Sequence, residues 1–290
     1  MNDASATTSA TISPPGHRMP ALWPLLAHQV GYQLRLLSRT PRAVFGSILM
    51  PAILLALRLG RLDHGDGAIA TQVAPLIAGL TVLGLASTAY VTYASSLVAA
   101  RQDGVLRRWR TTPLPAAGYF CGRMVATVLL AEGAAAALIA IGIAMTGMHL
   151  SAGAVPVLVA VVAVGALAFA AIATALTVVI PTVDAAFPVL AVTFYPLVLL
   201  SGAFGSLSTE PGWLTAVLSY LPAQPLVDAV TGALRHAGGV PPLPARDLLV
   251  LACWGAVGLT AAVRFFRWEP TRPPHAQTAR PAGVSGPPAR

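Results

Sequence analysis

No lysine occurs anywhere in the 290 residues; all 18 basic residues are arginine. That absence excludes a phosphate-binding loop of the Walker type, whose lysine reaches the nucleotide phosphates. It also excludes Schiff-base catalysis. Charge of either sign is scarce: 10% of residues are charged and only ten are acidic, whereas soluble domains run near a quarter charged. Cysteine is almost missing. Cys121 and Cys253 both fall at or within apolar runs, where a small packing role is expected rather than a disulfide or metal pair. His17, His28, His64, His149, His236 and His275 are scattered without metal-ligand spacing, and no H-E-x-x-H occurs. Neither an internal repeat nor a second domain is visible.

What fills the chain instead is apolar: 56% hydrophobic residues and a mean hydropathy of +0.73. Such a composition specifies an integral membrane protein with the lipid bilayer as its surroundings. The net charge of +8 does not mark a nucleic-acid face, because the arginines stand at the ends of apolar runs. Four lie in residues 18–42, five in 101–123 and five in 264–290; Arg58, Arg61, Arg235 and Arg246 make up the rest. Arginine clustered beside spans is the positive-inside pattern.

The spans can be read in order. Residues 1–17 are rich in Ala, Ser, Thr and Pro without a basic start or apolar core, so residues 1–20 are expected to be a disordered tail rather than a cleaved signal peptide. Leu22, Leu26, Val30, Leu34 and Leu37 recur at helical spacing, with His28, Gln29, Arg35 and Arg39 elsewhere on the wheel. That pattern predicts an amphipathic helix in the membrane interface. Six spans follow: about 43–57, 72–100, 119–147, 155–180, 187–207 and 247–263. The first is short, roughly 22 Å against a hydrocarbon core of about 30 Å, with Arg42 and Arg58 placed to snorkel from its ends. A polar loop with Asp63, His64 and Asp66 separates spans one and two, and Pro181–Ala186 forms a short turn between four and five. Residues 208–246 carry too many prolines and glycines for one span, which predicts short helices dipping partway into the membrane with Trp213 and Tyr220 at the interface. Arg264, Phe265, Phe266, Arg267 and Trp268 close the last span, and residues 269–290 form a second disordered tail. Six spans with 14 of 18 arginines on one side predict cytoplasmic termini in a cell-membrane protein.

The segment from Arg101 to Pro115, between the second and third spans, is the densest in chemistry. Arg101, Arg107, Arg108 and Arg110 against Asp103 leave it at about +3, which holds it on the cytoplasmic side. Gly104 breaks the preceding helix, and Pro113 and Pro115 stop any short helix within the segment. A topogenic signal alone would need the arginines but neither Gly104 nor the Thr-Pro stop, so the element reads as a docking surface anchored by Trp109.

These motifs resemble the permeases of the ABC type-2 transporter family, the membrane subunits of ABC exporters. The match lies in Arg101-Gln102-Asp103-Gly104, the short helix Val105–Arg110, and Thr111-Thr112-Pro113-Leu114, with Gln102 where the family commonly has Glu. Leu34 through Arg42 with Pro51 is similar to the family's interfacial helix and first span. Leu200-Ser201-Gly202, with Pro211, Trp213, Leu221-Pro222 and Pro225 after it, is similar to the end of its fifth span and its extracellular hairpin. The ordered set covers about residues 20–268, so residues 21–268 would form the permease domain, nearest in length and loop sizes to the daunorubicin-exporter-like, drug-resistance branch. The resemblance implies an all-α polytopic fold that is no enzyme itself. It implies a second permease copy, most simply a homodimer, and an ATP-binding subunit that carries ATP and Mg and docks on Arg101, Gln102, Asp103, Gly104, Arg107, Arg108 and Arg110. It also implies export of a hydrophobic or amphipathic substrate, such as a drug, an antibiotic or a lipid.

Glu132 is the only carboxylate deep in a span, among Ala131 and Gly133–Ala137. It suits a cationic substrate in the pathway, or a hydrogen bond across closely packed small-residue helices. Two other classes stay in view. A proton-coupled secondary transporter would have Glu132 alone for its relay and no inverted repeat. An intramembrane hydrolase would need a nucleophile–base pair, and Ser201-Gly202 lacks both a Gly-x-Ser-Gly frame and a histidine in a later span.

Overall fold

With no water to satisfy amides in a bilayer, a spanning chain must bond its own backbone, and uncharged apolar runs therefore become helices. The computed structural model describes residues 30–32, 35, 45–61, 68–105, 116–201, 212–236 and 238–265; among these every regular element is helical. In chain order they are α1 (Met50–Leu59), α2 (Ala68–Ala86), α3 (Tyr93–Gln102), α4 (Ala116–Thr146), α5 (Ala154–Leu176), α6 (Val183–Leu199), α7 (Gly212–Leu218), α8 (Ala223–Arg235) and α9 (Ala245–Phe265). A π-helical turn, Phe45–Leu49, leads into α1, and a second, Ser87–Thr92, joins α2 to α3 without a break. Of the expected interfacial helix only Val30–Tyr32 and Arg35 are among the described residues, and these are helical. The tails 1–20 and 269–290 lie outside them.

Among the described residues four helical runs are long and apolar enough to cross a membrane: Gln72–Gln102, Phe120–Thr146, Ala154–Leu176 and Ala245–Phe265. The helices Gly46–Leu59 and Val183–Leu199 are apolar but shorter. The expected boundaries shift in places. The loop after the first span ends by Ala68, where α2 begins. Of the turn expected over Pro181–Ala186 only Pro181 and Thr182 precede α6, because Thr182 caps that helix by accepting a hydrogen bond from the Ala185 amide. The helix expected to reach Leu207 stops at Leu199, and residues 202–211 lie outside the described set. The proline-rich stretch 208–246 holds the two short helices α7 and α8. Pro222 is buried at the N-cap of α8, whereas Trp213 is 69% exposed.

The run α2–α3 lies at the centre, with α1, α4, α5, α6 and α8 packed around it. Small residues set the approach distances, as membrane helices require. A Cβ on Gly84 would overlap the Ser47 carbonyl of the first π turn, and one on Gly142 would meet Ile77 Cδ1 at 2.7 Å. The most extensive pairing is α5 with α9, where a Cβ on Gly258 would lie 2.6 Å from the Ile172 amide nitrogen. Gly165 admits Leu226 of α8 against α5. At the far ends of α4 and α5, the Ser151 hydroxyl donates to the Gly239 carbonyl at 2.8 Å.

Cys121 and Cys253 are exposed on α4 and α9. The packing role expected of them is therefore not met within the chain: each falls on the outer face of its helix, away from the buried stripe.

Candidate functional site

The end of α3 is where the charged segment begins. Tyr93, Ala94, Leu97, Val98 and Arg101 are the buried residues of this helix, and their spacing places them on one helical face. Arg101 is thus carried inward, 3% exposed, whereas Gln102 and Asp103 point out. The helix ends because Gly104 adopts φ +69°, a left-handed conformation that glycine takes without Cβ strain. The Asp103 amide still donates to the Ala99 carbonyl, and the Gly104 amide to that of Arg101.

A buried guanidinium must find acceptors, since an uncompensated charge is expensive away from water. Arg101 finds them at the C-terminal end of α5, where orphan carbonyls are available. One terminal nitrogen donates to the Thr177 carbonyl at 3.0 Å and the other to the Ile180 carbonyl. A cation there also meets the negative end of the helix dipole, worth about 0.3–1 kcal/mol or more when partly buried. The next residue completes the joint. Gln102 Oε1 accepts a hydrogen bond from the Val183 amide at 3.1 Å, capping the first turn of α6. Consecutive side chains therefore hold the two ends of the α5–α6 turn.

A second buried arginine lies one turn deeper. Arg123 of α4, 5% exposed, donates to the Ser96 hydroxyl and stands over the Tyr93 ring, 5.6 Å from its centroid. Tyr93 Oη lies 3.2 Å from Thr174 Oγ1 on α5. Above this layer the π turn presents Tyr90 to α6, where its ring stacks on Phe194 at 6.1 Å and its hydroxyl meets Thr193 Oγ1 at 2.8 Å. An edge-on contact with Phe169 ties the same ring to α5.

Of the residues expected to dock a partner, Arg101, Gln102, Asp103 and Gly104 come together at this corner. Arg107, Arg108 and Arg110 lie outside the described residues. Arg101 faces α5 and is 3% exposed, because its side chain falls on the buried face of α3. Residues 105–115 beyond the corner are described only at Val105. Arg123, Thr177 and Ile180 were not expected in the site. The signal for Arg123 was present, since it lies four and eight residues before Thr127 and Ala131 on the stripe that α4 buries.

Glu132 is half-buried midway along α4. Its Oε1 is shielded and makes no hydrogen bond, so that oxygen does not form the cross-helix bond weighed from sequence. Beside it a Cβ on Gly133 would meet nothing within 4 Å. Ser201 is buried, its hydroxyl donating to the Val198 carbonyl at 2.7 Å; Gly202 and Pro211 lie outside the described residues. Among the described residues no group of His, Cys, Asp and Glu could hold a metal.

A family model described as ABC-2 type transporter matches residues 30–234, which is 205 of the 290 residues. No curated protein matches the chain.

Proposed function

The chain belongs to the ABC-2 type transporter family, and from that premise we propose that it is the permease of an ATP-driven exporter whose ATP-binding subunit docks on residues 101–112. The family is that of the multi-pass membrane subunit of ABC transporters, which work as complexes with ATP-binding subunits. The finer reading assigns Asp103, Gly104, Arg107, Arg108 and Arg110 to the contact with that subunit, which brings ATP and Mg. The observation that carries it is the corner itself: a positive-φ glycine ends a long apolar helix just where an arginine-rich segment begins.

Six spans fit this reading if α1 and α6 cross as well. Gly46–Leu59 and the 17 residues of α6 give roughly 21 and 26 Å. Both fall short of about 30 Å by an amount that snorkelling flanks and local thinning accommodate. Cytoplasmic termini follow from the arginine bias, and α7 with α8 would be the hairpin that dips from the outer side. Two permease copies, in the simplest case identical, would rock about a shared pathway and release a hydrophobic or amphipathic substrate outward. Export of drugs is the branch assignment. Glu132 would face that pathway or the second copy, where its free oxygen finds a cation or a donor.

The test is a complex of this chain with an ABC ATP-binding subunit that co-purifies with it, reconstituted in proteoliposomes. Export that requires ATP and survives collapse of the proton gradient is expected. Export driven by the gradient without ATP would replace the reading with a proton-coupled transporter.

A further inference from the structure

We propose that Arg101 and Gln102 form a clamp that makes the corner of the docking segment and the α5–α6 turn one rigid body, so that displacement of the segment is delivered to α6. The inference rests on the docking reading above and names the part of the membrane domain that takes up the motion.

Three observations carry it. Arg101 and Gln102 are adjacent in sequence, yet they grip opposite ends of a turn 76 to 81 residues away. The grip is on backbone, two carbonyls at the end of α5 and one amide at the start of α6, so no rotamer change of a partner side chain can release it. Arg101 is 3% exposed, so little of it meets water that could replace these acceptors. Lastly, α6 is built to be carried. It packs inward through Ala186, Leu190, Phe194 and Val198 against α3 and the π turn. Its other face is open: Phe187 is 62% and Val192 73% exposed. A helix held along one side and gripped at its first turn moves with the element that grips it.

Gln102 supplies the specific part. Its amide oxygen caps the Val183 amide without closing the turn to solvent, and its removal leaves the Thr182 cap in place. Gln102→Ala therefore removes the direct bond between the corner and the first turn of α6 while leaving both helices folded. Arg101 is buried, and Arg101→Gln risks the fold; Gln102→Ala keeps the inference testable if that variant is not made.

The experiment uses the reconstituted complex and reads export and ATP hydrolysis together. In Gln102→Ala and Arg101→Gln export per ATP hydrolysed, a ratio taken on the assembled complex, is expected to fall at least about fivefold, the low end of usual coupling between sites. A second arm places Gln102→Cys and Val183→Cys in a Cys121→Ser, Cys253→Ser background and joins them with a short bis-thiosulfonate linker. The unlinked pair lacks the Gln102 grip and should be uncoupled like Gln102→Ala, and the linker, which replaces that grip covalently, is expected to restore export per ATP. Wild-type export per ATP in Gln102→Ala, or no recovery of export per ATP on linking, would overturn the clamp. A wild-type complex whose export ignores ATP would instead refute the docking reading, and the clamp with it.

Discussion

Adding one methyl group at Gly258 tests the α5–α9 seam directly. A Cβ there would lie 2.6 Å from the Ile172 amide nitrogen and 2.7 Å from the Ala171 carbonyl carbon, where roughly 3.5 Å is needed. Both obstacles are backbone, so the overlap can be relieved only by moving α9 away from α5 by close to 1 Å. A gap of about 0.5–1 Å forfeits a quarter to a half of each dispersion contact across it, and overpacking of this kind costs about 1–3 kcal/mol. Alanine returns about 0.5–1 kcal/mol through its better helix propensity. Gly258→Ala should therefore destabilise by about 1–2 kcal/mol, and Gly258→Val by more. Gly255, one turn earlier, is the control. Its Cβ would meet Ala168 Cα at 3.6 Å, an ordinary contact, so Gly255→Ala should be neutral or slightly stabilising. Thermal unfolding in detergent, followed by Trp fluorescence, suits the seam, because Trp254 of α9 donates to the Tyr220 carbonyl at 2.7 Å. At about 2–4 °C per kcal/mol, the two alanine variants should shift the midpoint in opposite directions or leave only Gly258→Ala lowered. Equal midpoints for Gly258→Ala and wild type would refute the backbone-contact argument.

At the corner, Asp103→Lys is expected to abolish export by reversing the segment's only negative charge. Gly104→Pro should do the same by forcing φ from +69° to about −65°; membrane levels should stay normal in both, and full export would return the segment to a topogenic role. Single cysteines replacing His64, Leu106, Thr209 and His275, in a background without Cys121 and Cys253, should react with an impermeant thiol reagent in intact cells only at 64 and 209; labelling of 106 from outside would overturn the orientation. Glu132→Gln should weaken export of cationic compounds and spare neutral ones. Equal loss of both at normal protein levels would reject a charge-reading role for Glu132.

The helices were legible because apolar runs without charge leave few alternatives, and α4, α5 and α9 match their expected spans to within a few residues. The corner was legible in part. Gly104 declares itself, since glycine after an arginine-bearing apolar helix is a common terminator, and its φ bears that out. The burial of Arg101 was not anticipated because its charge was weighed without its position on the wheel: counting four back to Leu97 and three to Val98 puts it on the buried side. The carbonyls it reaches were beyond sequence reasoning. Any helix end offers such groups, and only the tertiary arrangement of α3 beside α5 selects these two. For α6 hydropathy alone set the end too late, at 207, whereas the Leu200-Ser201-Gly202 motif, similar to the end of the family's fifth span, stands where the helix stops.

The π turn at Ser87–Thr92 has a bearing on how this chain can vary. Its closing bond runs from the Tyr93 amide to the Thr88 carbonyl, five residues back, so the turn holds one residue more than an α-helical path would. Deleting a single residue there would restore a continuous α-helix and leave Tyr93, Leu97 and Arg101 on their present face, because the π turn is what absorbs the extra residue. The α-helical stretch from Tyr93 to Arg101 has no such slack. A residue lost or gained there would rotate Arg101 and Gln102 by about 100° around the axis, and Gln102 would no longer meet α6. Single-residue deletions should therefore be far better tolerated within Ser87–Thr92 than in the two turns that follow it.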